Sequence, residues 1–505
     1  MGHITILRPV KGVEVGLYDC LASTFRLAYP KAKLTIYLCV ASTSDPAYPV
    51  LQRVIEDFPG FDAKILVEED DPLLHGAEGH VNNLGPNPKI RNLSRGYREA
   101  KGDIIWIVDC NVWIGTGSAG RMVDKLCGFG PNGTRTTPYK FVHQLPLVVD
   151  IETPQTPEEQ SLLSSNTTQP HDAPKQGIWS HGGRLEEMFM STTHAKFYSA
   201  INTVSLAPCI VGKSNMFRKS HLDLLTNPLH NPLLPASSSS RGTGLDFFSS
   251  YICEDHLIGD LIWRSAIPDP DPDASTKTKS KPRLKFRNHG LVFGEPAVQP
   301  MSGMSVPSYI ARRARWLRVR KWTVLAATLV EPGVESLVCC AHLAFALTTL
   351  PWFHNSALHV PPTWNAMLAI WLGGIAAWTV VDRVLFNKLH KLQSVEADEH
   401  TPSFALGTSR RGGAKQRPFG EWLVAWLGRE LLALPIWTWA VLLGTTVNWR
   451  GKQFRVRMDM SVVEMKGQDG EGQAQAQAQK RRVRSGTPTV GGGRRSEERG
   501  KDRVD

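Results

Sequence analysis

The chain has 505 residues, a net charge of +11, and 42% hydrophobic against 21% charged residues. That length suffices for two or three domains with a sizeable core, and the basic excess fits nucleic acid, an anionic membrane face or a phosphorylated ligand. No zinc-finger or RNA-binding signature occurs and much of the excess flanks apolar segments, which excludes nucleic acid as the partner; the eight cysteines form no CxxC pair, which excludes a zinc ribbon or a disulfide framework.

In chain order, residues 4–7 read as a short strand, 17–28 as a helix and 34–40 as a strong strand. A helix over 50–58, a strand over 63–67, a helix over 90–100 and a strand over 104–108 follow. Strands alternating with helices predict an α/β fold with a sheet flanked by helices. Ligands of such sheets lie past the C-terminal strand ends. Asp45 follows the strand ending at Val40, and Asp109 follows Val108 directly.

Residues 151–184, 226–244 and 267–286 are rich in Pro, Ser, Thr, Asn, Gln and charge, and predict surface insertions. Between the last two, Cys253-Glu254-Asp255 places two adjacent carboxylates after an apolar run, where one can accept a proton. Downstream, Arg312-Arg313-Ala314-Arg315-Trp316 gathers three guanidinium groups and an indole on a predicted helix, an arrangement suited to a diphosphate.

Three apolar segments follow, 334–353, 364–381 and 422–447. A bilayer core about 30 Å thick needs about 20 helical residues, so membrane helices are expected, with tryptophans near the segment ends as interfacial anchors. The basic run 312–321 and the basic connection after the second segment predict cytosolic sides; the Lys- and Arg-free loop 351–363 predicts the opposite side. The basic stretch 450–457 conflicts with three full crossings. Arg429, Glu430 and Pro435 interrupt the third segment, so a re-entrant or interfacial helix pair is the alternative there. The expected division is a catalytic domain over 1–310, an amphipathic and transmembrane region over 311–458, and a disordered Gly-, Gln-, Arg- and Glu-rich tail over 459–505.

These residues stand in a recognisable order. Arg8-Pro9-Val10-Lys11-Gly12-Val13 is similar to a KPLKGVD-type strand end, Asp45-Pro46-Ala47 to DPA, and Asn87-Pro88-Lys89-Ile90-Arg91-Asn92-Leu93 to NPKINNL. Ile105 to Asp109 is similar to IWICD, and Thr193-His194 with Phe197-Tyr198 to SHPRYY. Glu254-Asp255 and Arg312-x-x-Arg315-Trp316 complete the series. The series resembles the ceramide glucosyltransferase family from about Ile4 to Met458. The resemblance implies a GT-A-type mixed sheet flanked by helices, followed by C-terminal membrane helices. It implies a family anchor ahead of the first strand, whereas residues 4–7 here already form that strand.

It also implies transfer of glucose from UDP-glucose to the primary hydroxyl of ceramide with inversion, in a multi-pass, Golgi-type membrane with the catalytic domain facing the cytosol. Asp255 would be the general base and Glu254 its helper. Asp45, Lys89 and His194 would serve the nucleotide. Arg312 and Arg315 would serve the diphosphate, with Trp316 against sugar or acceptor. Asp109 would hold Mg2+ or Mn2+, although Asn111 stands where many such enzymes have a second aspartate. Cys209 matches a family cysteine near the site. The alternatives are a processive polysaccharide synthase of the chitin or hyaluronan type, or a catalytically inactive membrane scaffold. The former has Gln where this chain has Arg312 and needs more membrane helices.

Overall fold

The computed structural model describes residues 2–75, 84–151, 181–234, 241–267, 285–355, 359–449 and 452–465. Most of the insertions 151–184 and 267–286, residues 235–240 of the insertion 226–244, and the tail from 466 lie outside the described residues; residues 459–465, expected in that disordered tail, instead include a strand, Val462–Glu464, paired with Lys452–Val456.

Four strands lie parallel: β1 (Ile4–Pro9), β2 (Leu34–Val40), β3 (Asp62–Val67) and β4 (Ile104–Val108), side by side as β3-β2-β1-β4. β1, β2 and β4 are buried along their whole length, as strands covered on both faces must be. Alternation divides their side chains. Ile4, Ile6, Trp106 and Val108 pack with helices α1 (Leu17–Phe25) and α2 (Tyr48–Asp57). Leu7, Ile105 and Ile107 point the other way, into a core with Ile90 and Leu93 of α3 (Pro88–Arg98).

The sheet then turns mixed. Beyond β4 and a helix α4 (Ser118–Cys127) come β5 (Tyr139–Asp150), β6 (Ser214–Arg218) and β7 (Arg287–Met301). β6 lies antiparallel between β4 and β5, and β7 runs parallel to β5 at the edge, completing seven strands. The antiparallel pairing sets Ser214 opposite Val108. The start of β6 thereby meets the end of β4.

Helices α5 (Gly182–Ser191) and α6 (Thr193–Val204) follow β5 in the chain, and α7 (Glu254–Arg264) precedes β7. The Arg-rich stretch forms α8 (Val306–Arg320), with Ser305 as its N-cap. The predicted apolar segments resolve into three helices of different character. Segment 334–353 holds a helix of only 14 residues, α9 (Ser336–Thr349), shorter than a crossing. It stops there because Leu350, ahead of Pro351, is extended, the conformation a following proline imposes. Segment 364–381 lies in α10 (Trp364–His390), 27 residues long. Among the described residues α10 alone is both long and apolar enough to cross a membrane, with a mean hydropathy of 1.5. Segment 422–447 is not one continuous span. Its helix α11 (Phe419–Trp437) contains Pro435, passes into a π turn at Thr438–Leu442 and gives way to a strand, Thr446–Trp449.

Arg429 of α11 is buried among carboxylates. Its guanidinium reaches Glu335 (3.1 Å), Asp382 of α10 (3.4 Å) and Glu430, and it also donates to Thr193 of α6. Lys196 of α6 pairs with Asp382 at 2.5 Å. The apolar helices and the sheet-bearing part of the chain are thus joined through ion pairs.

Candidate active site

Asn87 starts the site. Its Oδ1 accepts from the backbone N–H groups of Lys89 (2.8 Å) and Ile90 (3.2 Å), capping α3, with Pro88 in the first turn. Its Nδ2 donates to Glu254 Oε2 at 3.0 Å and to the carbonyl of Tyr251. One buried amide therefore ties the N-termini of α3 and α7 together, and both helix starts present their first turns to the end of β4.

Lys89 lies in that first turn of α3. Its ammonium sits 3.0 Å from Asp109 Oδ1 and 3.2 Å from Glu254 Oε1. Gly212 packs directly beside it. A Cβ added there would lie 2.9 Å from Asp255 Oδ2 and 3.1 Å from Lys89 Nζ. Lys89, Asp109, Glu254 and Asp255, four residues expected at the site, are brought together. A fifth member, Lys213, was not expected: its Nζ is 3.0 Å from Asp109 Oδ2 and 3.3 Å from Asn111 Oδ1. Nothing local marks Lys213 or Gly212 in the sequence, because only the antiparallel β4–β6 pairing brings them to Asp109.

The electrostatics follow from burial and pairing. Burial opposes the Asp109 charge, but the ammonium groups of Lys89 and Lys213 overcome it and hold the carboxyl well below the usual range. Burial opposes the Lys89 charge too, yet Asp109, Glu254 and Asp255 together keep its pKa above the usual lysine value. The Glu254–Asp255 pair behaves differently. Burial raises both carboxyls against the pull of Lys89; Asp255 adds to the rise of Glu254, and Asp109 to that of Asp255. One carboxylate is locked in its charged form, and two neighbours are shifted towards holding a proton.

The remaining expected residues fall in two other places. Asp45 Oδ1 accepts from the backbone of Gly12 and of Ala47, both at 2.9 Å. It thus joins the loop after β1 to the loop after β2, at the strand ends where nucleotides sit in such sheets. Gly12 has φ +66°, a backbone conformation that suits glycine.

His194 and Trp316 gather around Phe189, with Arg312 beside Trp316. The guanidinium of Arg313 lies 3.5 Å over that ring, Trp316 packs at 6.5 Å and His194 at 5.7 Å. Arg312 pairs with the buried Glu186 at 2.8 Å and lies over Trp316. Arg315 is half-buried one residue before Trp316. His194 stacks on Tyr198, whose hydroxyl is 2.5 Å from His143 Nδ1. Burial, with Arg313 and Arg320 nearby, lowers the His194 pKa to about 3, so the ring is neutral. Burial, with Cys209 and Asp255 adding to it, pushes the Tyr198 pKa well above the usual tyrosine value. Cys209 is half-buried, and its carbonyl accepts from Asn202 at 2.9 Å.

Among the described residues no three His, Cys, Asp or Glu side chains group as a ready metal site. The donor set nearest to one is Asp109 Oδ2 with Asn111 Oδ1, two hard oxygens that converge on a single cation, the Lys213 ammonium. That pair has the chemistry a hard divalent ion selects.

Residues 1–154 and 291–462 match glycosyl transferase family 21. The ceramide glucosyltransferase of Pyricularia oryzae is 57% identical over 465 residues, covering 92% of this chain and 86% of that protein. That of Gibberella zeae is 49% identical over 470 residues, covering 91% and 85%. That of Komagataella phaffii is 35% identical over 497 residues, covering 92% and 84%. Among solved structures, a mannosyltransferase from Pyrobaculum calidifontis in complex with GDP-Man and Mn2+ aligns at 12% identity and a TM-score of 0.30, over 85% of this chain and 87% of that one.

Proposed function

The chain belongs to glycosyl transferase family 21, and we infer that it is a ceramide glucosyltransferase, transferring glucose from UDP-glucose to the primary hydroxyl of ceramide with inversion. The observation that carries the substrate assignment is the 57% identity to a curated ceramide glucosyltransferase over 92% of the chain.

The charged cluster supports a chemical path. Asp255 takes the proton of the ceramide hydroxyl as its oxygen attacks C1 of glucose. The bond from C1 to the diphosphate oxygen breaks, and its electron pair leaves with UDP. Glu254, held by Asn87 and Lys89, keeps Asp255 in place and keeps negative charge from accumulating beside it. Lys89 and Lys213 put positive charge at the end of β4, where the diphosphate would lie. Arg312 and Arg315 would serve the diphosphate from α8, with Trp316 and the neutral His194 beside them. Asp45 serves the nucleoside. A divalent ion would be held by Asp109 and Asn111 and would neutralise charge on the departing diphosphate.

In this reading residues 1–310 form a GT-A-type catalytic domain and 311–458 a membrane-associated region, in a multi-pass, Golgi-type membrane with the active site facing the cytosol. The exposed apolar face of α10 supports contact with lipid, since only 6% of its most apolar stretch is buried. The test is transfer by the detergent-solubilised full chain, with labelled UDP-glucose and ceramide as substrates and mass spectrometry of the lipids. One lipid-linked hexose is expected; a polymer, or no turnover, overturns the reading. Asp255→Asn should abolish turnover with UDP binding retained, and loss of UDP binding with turnover kept would remove Asp255 from its assigned role.

A further inference from the structure

The start of β6 delivers one side chain to the end of β4. Asp109 N–H donates to the Lys213 carbonyl at 3.1 Å, and the Lys213 side chain then folds back so that its ammonium meets Asp109 Oδ2 and Asn111 Oδ1. Lys213 and Asn111 are both buried. The other oxygen of Asp109 is taken by Lys89. Both oxygens of the carboxylate that a divalent ion would use are therefore already in contact with ammonium groups of this chain.

We propose that the Lys213 ammonium occupies the cation position of this active site and competes with a divalent ion for Asp109 Oδ2 and Asn111 Oδ1. The proposal deepens the glucosyltransferase reading and rests on it. A hard dication takes oxygen ligands at about 2.0–2.1 Å when it is Mg2+. The two oxygens lie 3.0 and 3.3 Å from Lys213 Nζ. Binding a metal there requires the ammonium to leave, because two cations cannot share so small a space without strong repulsion. Lys213 has little room to leave, with only 9% of its side chain exposed. The lysine therefore sets how tightly the site takes metal. It also supplies one positive charge towards the diphosphate when no metal is bound.

The experiment is a Mn2+ titration of the full chain in detergent with UDP present, followed by the EPR signal of free Mn2+. Lys213→Met keeps the bulk of the side chain and removes the competing charge; it should bind Mn2+ about tenfold more tightly than the parent. Lys213→Arg restores the charge and should bring the affinity back towards the parent value. Asn111→Asp leaves Lys213 in place, strengthens the oxygen pair, and should also tighten Mn2+; it keeps the test decisive if the lysine variants fold poorly. In transfer assays the parent should retain turnover in EDTA, whereas Lys213→Met should lose it and regain it with Mn2+. Equal Mn2+ affinity in the parent, Lys213→Met and Asn111→Asp overturns the proposal. Glucosylceramide formation by the parent is measured in the same series with Mn2+ added. Its absence overturns the activity reading and says nothing for or against the competition.

Discussion

Gly212→Ala is the smallest change that should separate the proposed base from its ammonium neighbour. The new methyl would lie 2.9 Å from Asp255 Oδ2 and 3.1 Å from Lys89 Nζ, where ordinary contacts begin at 3.4 Å. Asp255 must therefore retreat by about 0.5 Å and Lys89 by about 0.3 Å. A misplacement of about 1 Å in a reacting constellation costs on the order of 100-fold, so about half of that displacement should cost roughly tenfold in kcat. Stability should change little, because the atoms in the way are the ends of side chains and not backbone. The assay is steady-state transfer from labelled UDP-glucose to a short-chain ceramide, with thermal melting and UDP affinity measured alongside. A kcat within about twofold of the parent, with a folded protein and unchanged UDP affinity, would refute the placement of Asp255 at the reacting hydroxyl.

Three further outcomes are expected. Asn87→Ala removes the cap of α3 and a partner of Glu254, and should cost about 1–2 kcal/mol in denaturant unfolding; a loss below a few tenths would show that the two helix starts are not coupled through this amide. The acid limb of kcat/KM should lie above the ordinary aspartate value of 3.8, because burial raises Asp255 and a base is lost as pH falls through its pKa. In Lys89→Met that limb should move to still higher pH, since the ammonium is what opposes the rise; an unmoved limb would detach it from Asp255. Arg429→Met leaves Glu335, Asp382 and Glu430 facing one another and should destabilise the chain by about 3–5 kcal/mol, with melting in detergent as the measure and an unchanged Tm as the contrary result.

The parallel half of the sheet was legible because three of its four strands, β1, β2 and β4, are short, fully buried and mostly apolar runs between amphipathic helices. Such a run can only sit between two helical layers. Three residues of the candidate site were legible from position and pattern: Asp109 directly after a strand end, and Glu254-Asp255 as paired carboxylates after an apolar run, whereas Lys89 was reached only through the family resemblance. Lys213 carries no such mark. It precedes a five-residue strand whose direction is set by pairing with residues more than a hundred positions away, and local pattern does not encode direction. Arg312 was legible as a cation but not as the partner of Glu186, a buried carboxylate 126 positions upstream.

The apolar third was legible only in part, for a different physical reason. Hydropathy counts residues, whereas a crossing needs an unbroken helix with lipid on its outside. In 334–353 the helix is cut short ahead of Pro351. In 422–447 Trp422, expected as an interfacial anchor, is buried in protein together with Trp426. The indole N–H of Trp426 donates to Asp382 at 2.8 Å, the same carboxylate that pairs with Arg429 and Lys196. A carboxylate of α10 that takes partners from two other helices ties α10 and α11 to α6, whose first residues carry His194. The charged residues that argued against a plain third crossing therefore join the long apolar helix to the aromatic wall of the candidate site. An acceptor drawn from the bilayer along α10 would meet a pocket whose distance from that helix is set by ion pairs and not by a loop.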